Sequence, residues 1–511
     1  MNNNFYITTP IYYVNDRPHI GHAYTSVACD VMARFKRLSG FQVKFLTGTD
    51  EHGQKVEKSA KSASIAPQAM ADANSQHFKD MTTLMNISND DFIRTTEPRH
   101  IVSAQALWKK MQEAGHIYLG SYSGWYAVRD EAYYAESELV DSPGGKRAPS
   151  GAEVEWVEEP SYFFRLSGFT DKLLAYYEAH PNFIAPDSRR NEIISFVKGG
   201  LKDLSISRTT FSWGIPVPDD EKHIMYVWLD ALANYLSALG YPDAAAPDYK
   251  AFWPASLHMV GKDIIRFHAV YWPAFLMAAD LPLPERIFAH GWWTIEGEKM
   301  SKSMGNAIAP AELVGEFGLD ATRYFLMREV PFGNDGNFSR ERMIQVINSE
   351  LSNNIGNLTQ RTLSLIHKNC DGKIPESEPS SLDPELQKLC YSSLETLSNL
   401  LNNNKFHLYI EEVVRIATAA NGYIDKEAPW ALKKTDPVRM QHVLYQLAEV
   451  IRCIAILLQP LIPSSSEKIL NQLAITLDKR GFESLTAAHA LQSGTALPPP
   501  EPVFPRLIAK E

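Results

Sequence analysis

The sequence predicts an α/β fold, in which a parallel-sheet domain is split by an insertion and followed by an α-helical bundle. Three observations predict it. The chain opens with a strand pattern, a helix pattern and a second strand pattern in succession. This alternation stops over residues 115–208, where aromatic, glycine and acidic residues mix irregularly, and then it resumes. Beyond Ser339 the strand patterns fade and helical spacing of apolar residues dominates.

The first three elements are predicted to form a βαβ unit. Phe5–Tyr13 is rich in aromatic and β-branched residues and is predicted to be a buried strand. His22–Leu38 has apolar residues at three- and four-residue spacing and is followed by Gly40, which predicts a helix. Gln42–Leu46 is the next predicted strand, reached by a right-handed crossover. Ligands of such sheets bind beyond the carboxyl ends of the strands, so both turns should face one cleft.

The later elements are predicted from the same signals. Glycine and proline predict a loop at Asp141–Gly151. The α/β pattern returns at Lys222–Tyr235 and His258–Ala279, and Gly291–Gly305 is a glycine-punctuated basic loop. Helices are predicted at His407–Tyr423 and Val438–Leu457, and the proline-rich Leu497–Pro505 is predicted to be extended.

The composition is that of an ordinary globular protein. Its 511 residues contain 50 Lys and Arg against 60 Asp and Glu, which excludes a globally basic nucleic-acid binder but not a locally basic face. The four cysteines form no C-x-x-C pair, so we expect neither a zinc ribbon nor a thioredoxin-type site. So few cysteines in a chain of this length are typical of a protein in a reducing compartment. We find no signal-peptide pattern and no run of about 18 uncharged apolar residues, so we expect a cytoplasmic protein without a membrane span.

Common nucleotide and hydrolase motifs are missing from the sequence. It contains no G-x-x-x-x-G-K-[ST] and no G-x-G-x-x-G, which argues against a Walker-type enzyme and a common dinucleotide fold. H-E-x-x-H and G-x-S-x-G are also absent, which argues against a zincin and an α/β-hydrolase.

Two segments carry residues suited to phosphate chemistry. His19-Ile20-Gly21-His22 lies where the first strand pattern gives way to the helix. Helix N-termini attract phosphate, Gly21 permits close approach of a nucleotide, and imidazoles can donate hydrogen bonds to phosphate oxygens. Lys299-Met300-Ser301-Lys302-Ser303, followed by Met304-Gly305-Asn306, suits a polyphosphate clamp. Taken singly, the first could be a chance string and the second a solvated basic loop.

Together these two segments resemble the signature motifs HIGH and KMSKS of the class I aminoacyl-tRNA synthetases. Further strings resemble the methionyl-tRNA synthetases, a family within that class, along nearly the whole chain. They are Pro10-Ile11-Tyr12-Tyr13, Gly48-Thr49-Asp50-Glu51-His52-Gly53, Ile206-Ser207-Arg208, Tyr226-Val227-Trp228-Leu229-Asp230-Ala231, Gly261-Lys262-Asp263-Ile264-Ile265-Arg266-Phe267-His268 and Ala428-Pro429-Trp430.

The resemblance implies a methionine site. Its side-chain pocket would consist of Ile11, Tyr13, Trp228, Ala231, Leu232, Tyr235 and His268. Aromatic rings suit a thioether, and Tyr13 and His268 can offer polar hydrogens to its sulfur, which matters because shape alone discriminates weakly. Asp50 would hold the substrate ammonium, Arg208 would keep Asp50 ionised, and Asp263 would join the substrate contacts. On residue type alone, core packing is the favoured role of Tyr13, Trp228 and Tyr235, and Asp50 could cap a turn.

The resemblance also implies the reaction and its cofactor. Methionine and ATP would give methionyl-adenylate and pyrophosphate, and the terminal ribose hydroxyl of tRNA(Met), initiator or elongator, would then take the methionyl group. His19, Gly21 and His22 would hold the ATP phosphates, and Mg²⁺ would accompany ATP. Lys299, Ser301 and Lys302 would close over the pyrophosphate, with Lys302 in contact with the transition state.

The resemblance assigns reading of the CAU anticodon to the helical part. Asn357 and Arg361 are four residues apart and would share a helix face, from which an amide and a guanidinium can hydrogen-bond base edges. Trp430 would stack on an unpaired base. A solvated helix face and a core tryptophan are the alternatives.

The resemblance divides the chain into five segments. Two features found in some members of the family, cysteine-rich zinc knuckles and a further C-terminal domain, have no counterpart in this sequence. The segments are a Rossmann-type catalytic domain in two halves (1–114 and 209–290), an inserted connective domain (115–208), a linker with the KMSKS loop (291–345) and an α-helical anticodon-binding domain with a tail (346–511). Residues 124–134 lack the cysteines of the family's zinc knuckles, so we expect no structural zinc. Only a short tail follows the bundle, so we expect a monomer.

Three rival functions are weighed against this interpretation. A HIGH-type nucleotidyltransferase without tRNA, such as a pantothenate-synthetase-like ligase, would be much shorter and lack the bundle. An inactive RNA-binding relative would not need His19, His22, Asp50, Arg208, Lys299 and Lys302 together. A synthetase for another amino acid would need a different pocket lining.

Overall fold

The computed structural model describes residues 3–14, 17–130, 132–134, 136–143, 145–295, 297–299, 307–377 and 383–508. The chain forms two compact units. The first contains Met1–Cys29 and Val43–His290, and the second contains Asp30–Gln42 and Gly291–Glu511.

The elements up to His290 alternate between strands and helices. The strands are β1 Asn4–Thr8, β2 Tyr12–Tyr13, β3 Gln42–Asp50, β4 Asp91–Arg94, β5 Ile117–Ala127, β6 Ala132–Tyr134, β7 Val140–Ser142, β8 Gly145–Arg147, β9 Glu155–Phe164, β10 Ile184–Ala185, β11 Leu204–Ser205, β12 Ser207–Arg208, β13 Pro216–Val217, β14 Asp220–Met225, β15 Leu257–Gly261 and β16 Ile287–His290. The helices are α1 Ile20–Leu38, α2 Gln54–Ser62, α3 Pro67–Leu84, α4 Pro98–Glu113, α5 Thr170–Ala179, α6 Asp187–Lys198, α7 Val227–Ser237, α8 Pro247–Phe252 and α9 Trp272–Ala278, with a π-helix at Phe267–Tyr271.

The largest sheet has seven strands in the order β10-β16-β15-β1-β3-β2, with β4 also paired to β3. β1 runs parallel to β15, β15 to β16, and β3 to both β2 and β4. The predicted α/β class with a parallel sheet is therefore confirmed. The single strand predicted at Phe5–Tyr13 is wrong, because β1 ends at Thr8 and β2 begins at Tyr12. Pro10 lies between them and has no N–H to donate to a strand ladder.

The segment between the sheet strands β4 and β10 contains a second, antiparallel sheet. β5 and β9 pair in continuous register from Ile117 opposite Phe164 to Tyr126 opposite Glu155. The loop predicted at Asp141–Gly151 is partly wrong, since β7 and β8 form an antiparallel hairpin there. Short polar strands of this kind carry no apolar alternation from which they could be predicted.

The second unit is mainly helical. Its elements are β17 Trp293–Ile295, β18 Glu298–Lys299, α10 Pro310–Phe317, α11 Leu319–Arg328, β19 Gly336–Phe338, α12 Arg340–Val346, a π-helix Ile347–Gly356, α13 Asn357–Asn369, α14 Pro384–Tyr391, α15 Ser393–Asn402, α16 Phe406–Glu427, α17 Pro429–Thr435, α18 Pro437–Leu458 and α19 Pro463–Gln472. The predicted helices at His407–Tyr423 and Val438–Leu457 correspond to α16 and α18.

Helix α18 is the buried centre of this unit. Within the part of the chain that the structure describes, it is the one helix long and apolar enough to cross a membrane, but 89% of its apolar window is buried inside the protein. Its two buried charged residues pair with each other, as Arg452 Nε donates to Glu449 Oε2 at 3.0 Å. Nearby in the same unit, the buried Arg323 Nη2 donates to Asp30 Oδ2 at 2.6 Å. These pairs keep the buried charges of the bundle compensated.

Candidate functional site

Two parallel strand ends bring a tyrosine beside a carboxylate. Tyr13 at the end of β2 pairs in register with Asp50, the last residue of β3. The backbone N–H of Val14 donates to the Asp50 carbonyl at 3.1 Å, which fixes this register. Asp50 is only 8% exposed. The structure thus brings together two of the predicted site residues at the carboxyl edge of the sheet, where ligands of parallel sheets bind.

The predicted phosphate motif lies at the first turn of α1. The backbone N–H of Gly21 donates to His19 Nδ1 at 3.0 Å, and that of His19 donates to His22 Nδ1 at 3.1 Å. The His22 ring also meets the edges of Tyr12 and Phe78, at centroid distances of 5.0 and 5.3 Å. A Cβ on Gly21 would lie 2.8 Å from Cε1 of the His19 ring, so a larger residue here would displace that ring.

These contacts determine which ring nitrogens can donate. A nitrogen that accepts a hydrogen bond carries no proton, so a neutral imidazole then has its proton on the other nitrogen. Because Nδ1 of both His19 and His22 accepts from the backbone, the proton of each neutral ring is on Nε2. The motif therefore combines two imidazole N–H donors with a helix N-terminus, an arrangement suited to phosphate oxygens.

The residue after Asp50 anchors the strand end. Arg94 forms a bidentate pair with the Glu51 carboxylate, in which Nε donates to Oε1 at 2.7 Å and Nη2 donates to Oε2 at 2.9 Å. The hydroxyl groups of Thr49 and Thr96 donate to the same carboxylate at 2.7 and 2.6 Å. The backbone N–H of Glu51 donates to Thr95 Oγ1 at 2.9 Å. The position of Asp50 is therefore constrained by a rigid neighbour.

Helix α7 supplies the aromatic and apolar residues predicted for the pocket. Ala231, Leu232 and Tyr235 are buried, whereas Trp228 is the half-buried residue of this helix. The Trp228 ring stacks flat on Phe267 of the π-helix, with centroids 3.6 Å apart and planes 4° from parallel. Ile11 and Tyr13 pack against the same hydrophobic core. Leu232, Tyr235 and the residues packed against them thus belong to one region, and Ala231 is buried on the same helix.

Tyr235 and His268 form a buried hydrogen-bonded pair. Tyr235 Oη lies 2.7 Å from His268 Nε2, and His268 Nδ1 lies 3.0 Å from the carbonyl oxygen of Ile264. Burial lowers the pKa of His268 to about 4, although the backbone hydrogen bond with Ile264 and the Asp263 carboxylate oppose it. A carbonyl only accepts, so the neutral ring carries its proton on Nδ1 and Tyr235 donates to Nε2. In this arrangement the N–H of His268 is directed to Ile264.

The two other predicted methionine-site residues have different surroundings. Arg208 is buried, and its Nη1 donates to Ser205 Oγ at 2.9 Å and to the Ser207 carbonyl at 2.6 Å. Asp263 is exposed on a short 3₁₀-helix, and its Oδ1 lies 2.6 Å from the position that a Cβ on Gly261 would take.

A buried cluster that no local sequence pattern predicts joins helix α7 to two distant segments of the chain. Asp230 of α7 lies 2.7 Å from His52 Nδ1 and 2.7 Å from His100 Nε2. The three residues are far apart in the chain, with separations from Asp230 of 178 and 130 residues. His52 and Asp230 occur within the strings that carry the family resemblance, but no local pattern pairs them.

The predicted anticodon residues lie on two helices of the second unit. The Arg361 guanidinium lies over the Trp430 ring at 5.3 Å, and its Nη2 donates to Asp425 Oδ1 at 2.9 Å. Trp430 is 47% exposed, so it is not a core residue. Asn357 is exposed one turn before Arg361 on α13. The left-handed Ala428, with φ 47°, ends α16 and lets Pro429 start the helix that presents Trp430.

The predicted lysine clamp falls largely outside the described residues. The backbone of Lys299 pairs with Thr294 at the end of β18, and Ser301 and Lys302 are not described. Among the described residues, no group of three or more His, Cys, Asp or Glu side chains is arranged to hold a metal ion. The four cysteines are all free thiols.

Comparisons with known proteins match the whole chain. The family model described as "tRNA synthetases class I (M)" matches residues 5–363, and that described as "Anticodon binding domain of methionyl tRNA ligase" matches residues 374–511. The methionine–tRNA ligase of Rickettsia felis is 60% identical over 510 residues, covering 99% of both chains. That of Brucella suis is 56% identical over 506 residues, covering 99% of this chain and 98% of the relative.

Solved structures match equally completely. The Mycobacterium tuberculosis methionyl-tRNA synthetase in complex with methionyl-adenylate superposes with a TM-score of 0.95 at 49% identity, covering 98% of this chain and all of that one. The free form of the same enzyme gives a TM-score of 0.89 at 46% identity, covering 99% of both chains.

Proposed function

We propose residue roles for this chain on the premise that it belongs to the methionyl-tRNA synthetase family of class I tRNA synthetases. Its activity is that of a methionine–tRNA ligase: it activates methionine with ATP and transfers it to the 3′-terminal adenosine of tRNA(Met). The single observation that carries this conclusion is the 60% identity to a methionine–tRNA ligase over 99% of both chains. Which residues perform each step is our proposal.

In the activation step, an oxygen of the methionine carboxylate bonds to the α-phosphorus of ATP. The bond from that phosphorus to the bridging oxygen of the β-phosphate breaks, so pyrophosphate leaves and methionyl-adenylate remains. The attacking carboxylate is ionised at neutral pH and needs no protein base. Catalysis then consists of positioning the reactants and stabilising charge on the phosphates.

We assign the phosphate contacts to the two sequence motifs. His19 and His22 donate from Nε2 to phosphate oxygens, and Gly21 leaves room for the nucleotide at the helix N-terminus. Their Nδ1 contacts with the backbone, at 3.0 and 3.1 Å, support this assignment because they direct the Nε2 protons outward from the turn. Lys299, Ser301 and Lys302 cover the pyrophosphate, and Lys302 contacts the transition state. ATP enters as its Mg²⁺ complex, which is held mainly through phosphate oxygens.

We assign methionine recognition to the sheet edge and helix α7. Asp50 binds the ammonium group, Arg208 keeps the Asp50 carboxylate ionised, and Asp263 joins the substrate contacts. Ile11, Tyr13, Trp228, Ala231, Leu232, Tyr235 and His268 enclose the side chain. Tyr13 offers its hydroxyl proton to the sulfur, whereas His268, whose N–H is directed to Ile264 at 3.0 Å, acts by holding Tyr235.

We assign anticodon recognition to Asn357, Arg361 and Trp430. The exposed indole with a guanidinium over its face, 5.3 Å from the ring centroid, supports this role, because bases stack on such surfaces. We further propose that the protein charges both initiator and elongator tRNA(Met), is a cytoplasmic monomer and keeps the five-segment domain division stated above. We propose no structural zinc, since residues 124–134 offer no cysteine ligands.

Charging of transcripts tests this function. Initiator and elongator tRNA(Met) transcripts should both accept methionine. Replacing the CAU anticodon should lower kcat/KM for charging by about 10- to 100-fold or more, since each misread base costs about 1–3 kcal/mol. Equal charging of the altered transcripts would contradict the anticodon assignment, and no charging of any transcript would contradict the function itself.

A further inference from the structure

A carboxylate that the proposed reaction does not use lies fully buried in the first unit. Asp230 Oδ2 is 2.7 Å from His52 Nδ1, and its Oδ1 is 2.7 Å from His100 Nε2. The other nitrogen of His100 is 3.0 Å from Ser237 Oγ, about two turns further along α7. Asp230, His52 and His100 are defined here as the buried triad. It joins α7, α4 and the loop after β3.

The triad is held by ionic hydrogen bonds. Burial alone would raise the pKa of Asp230, but the charges and hydrogen bonds of His52 and His100 outweigh it and lower the pKa to about 2. An ionised carboxylate only accepts, so both ring nitrogens that face it carry protons. Such charge-assisted bonds are short and directional, and loss of one partner leaves a buried charge poorly compensated. The spacing of the three segments is therefore tightly fixed.

These segments carry the two ends of the proposed methionine site. His52 follows Asp50 by two residues, and Asp230 lies between Trp228 and Ala231 on α7. The loop of His52 is also held from its other side, since the Trp213 indole N–H donates to the Glu51 carbonyl at 2.6 Å. The His52–Asp230 hydrogen bond thus connects the ammonium-binding end of the site to the side-chain end.

We propose that Asp230 is a positioning residue that, through His52 and His100, fixes the separation between the Asp50 carboxylate and the α7 pocket. This separation sets the length of amino acid that the site accepts. An amino acid whose sulfur is one methylene closer to Cα would leave either the ammonium contact or the sulfur contact unmade. The proposal rests on the proposed roles of Asp50 and α7.

Four variants in ATP–pyrophosphate exchange test the proposal. Asp230→Asn keeps the shape of the side chain but removes its charge. His52→Leu removes the hydrogen bond to Asp230, whereas His52→Asn restores an N–H donor close to the position of Nδ1. Glu449→Gln is the matched control, because it removes a buried, hydrogen-bonded carboxylate from the bundle. Each variant is assayed with methionine, with S-methylcysteine and with varied ATP.

The expected results separate positioning from folding. Asp230→Asn and His52→Leu should raise KM for methionine about tenfold, leave KM for ATP within about twofold, and lower the preference for methionine over S-methylcysteine about tenfold, since one methylene controls about 10- to 200-fold in specificity. His52→Asn should stay within about threefold of the unsubstituted protein. Glu449→Gln should change neither KM value nor the preference for methionine, because a smaller folded fraction lowers only the apparent kcat.

Two results would overturn the proposal. One is an unchanged KM and methionine preference in His52→Leu, which decides the question even if Asp230→Asn does not fold. The other is equal damage by His52→Asn and His52→Leu. The variant Asp50→Asn distinguishes a wrong positioning role of Asp230 from a wrong assignment of the methionine site. If Asp50→Asn leaves KM for methionine unchanged, the site assignment is wrong; if it alone raises KM, only the positioning role is wrong.

Discussion

The two units use buried charge in different ways. In the first unit, Asp230 and Glu51 are buried carboxylates whose partners adjoin the proposed methionine site. In the second unit, the buried pair of Glu449 and Arg452 lies within the central helix α18, whereas the proposed RNA-binding Trp430 is 47% exposed. A small substrate is enclosed, so the groups around it must be fixed in a dry interior. A base of the tRNA binds at the protein surface, where it can stack on an exposed aromatic ring.

This difference predicts that substitutions separate into two classes. Changes around the methionine site should alter activation of the amino acid in the absence of tRNA. Changes at the exposed tryptophan should alter charging of tRNA and leave activation intact. The following predictions test this separation in order of decreasing expected effect.

Lys302→Ala should give the largest loss. The lysine charge stabilises the departing phosphates, and loss of one such electrostatic contact costs about 10²- to 10³-fold in kcat. ATP–pyrophosphate exchange should fall by that factor while the circular dichroism spectrum is unchanged. Lys468→Ala, at an exposed position on α19, is the control and should exchange normally. Near-normal exchange by Lys302→Ala would contradict the proposed contact of this lysine with the departing pyrophosphate.

Trp430→Ala should give an intermediate loss confined to charging. Stacking of a base on an aromatic side chain contributes about 1–3 kcal/mol, so kcat/KM for tRNA(Met) should fall about 5- to 150-fold. Exchange without tRNA should be unchanged, and Trp430→Phe should recover most of the charging activity. A parallel loss in exchange and charging would show that Trp430 has a structural role and would break the comparison between the units.

His268 should give the smallest effect, visible as a pH dependence of stability. Because burial lowers its pKa to about 4 in the folded protein, the unfolded chain binds a proton first as the pH falls below about 6.5. Stability from the neutral ring is therefore complete above pH 6.5 and is lost toward pH 4, by about 1.4 kcal/mol per pH unit. The difference in unfolding free energy between the unsubstituted protein and His268→Gln should therefore become smaller as the pH falls below 6.5.

Denaturant unfolding at pH 7, 6, 5.5 and 5 measures this slope. A pH-independent difference for His268→Gln would show that the histidine is not held neutral by burial.

The sequence predicted those features that depend on local pattern. Helix α1 begins at the phosphate motif because His19 Nδ1 accepts from the backbone N–H of Gly21 in the first turn, and the two residues are only two positions apart in the chain. The α/β class, the helical second unit and the methionine–tRNA ligase activity are confirmed. The roles assigned to individual site residues remain proposals.

Features that depend on tertiary contacts were missed. The strand break at Pro10 was missed because aromatic and β-branched residues continue on both sides of it. The buried triad was missed because Asp230 meets partners 178 and 130 residues away, and only the sheet and helix packing brings them together. The direction of the His268 N–H toward Ile264 likewise follows from a buried backbone contact.

The most direct test of the account is amino-acid-dependent ATP–pyrophosphate exchange without tRNA, measured with each of the twenty amino acids. The account predicts exchange with methionine alone, because the proposed pocket selects methionine and the activation step needs no tRNA. Exchange with a different amino acid, or exchange that appears only when tRNA is added, would contradict it.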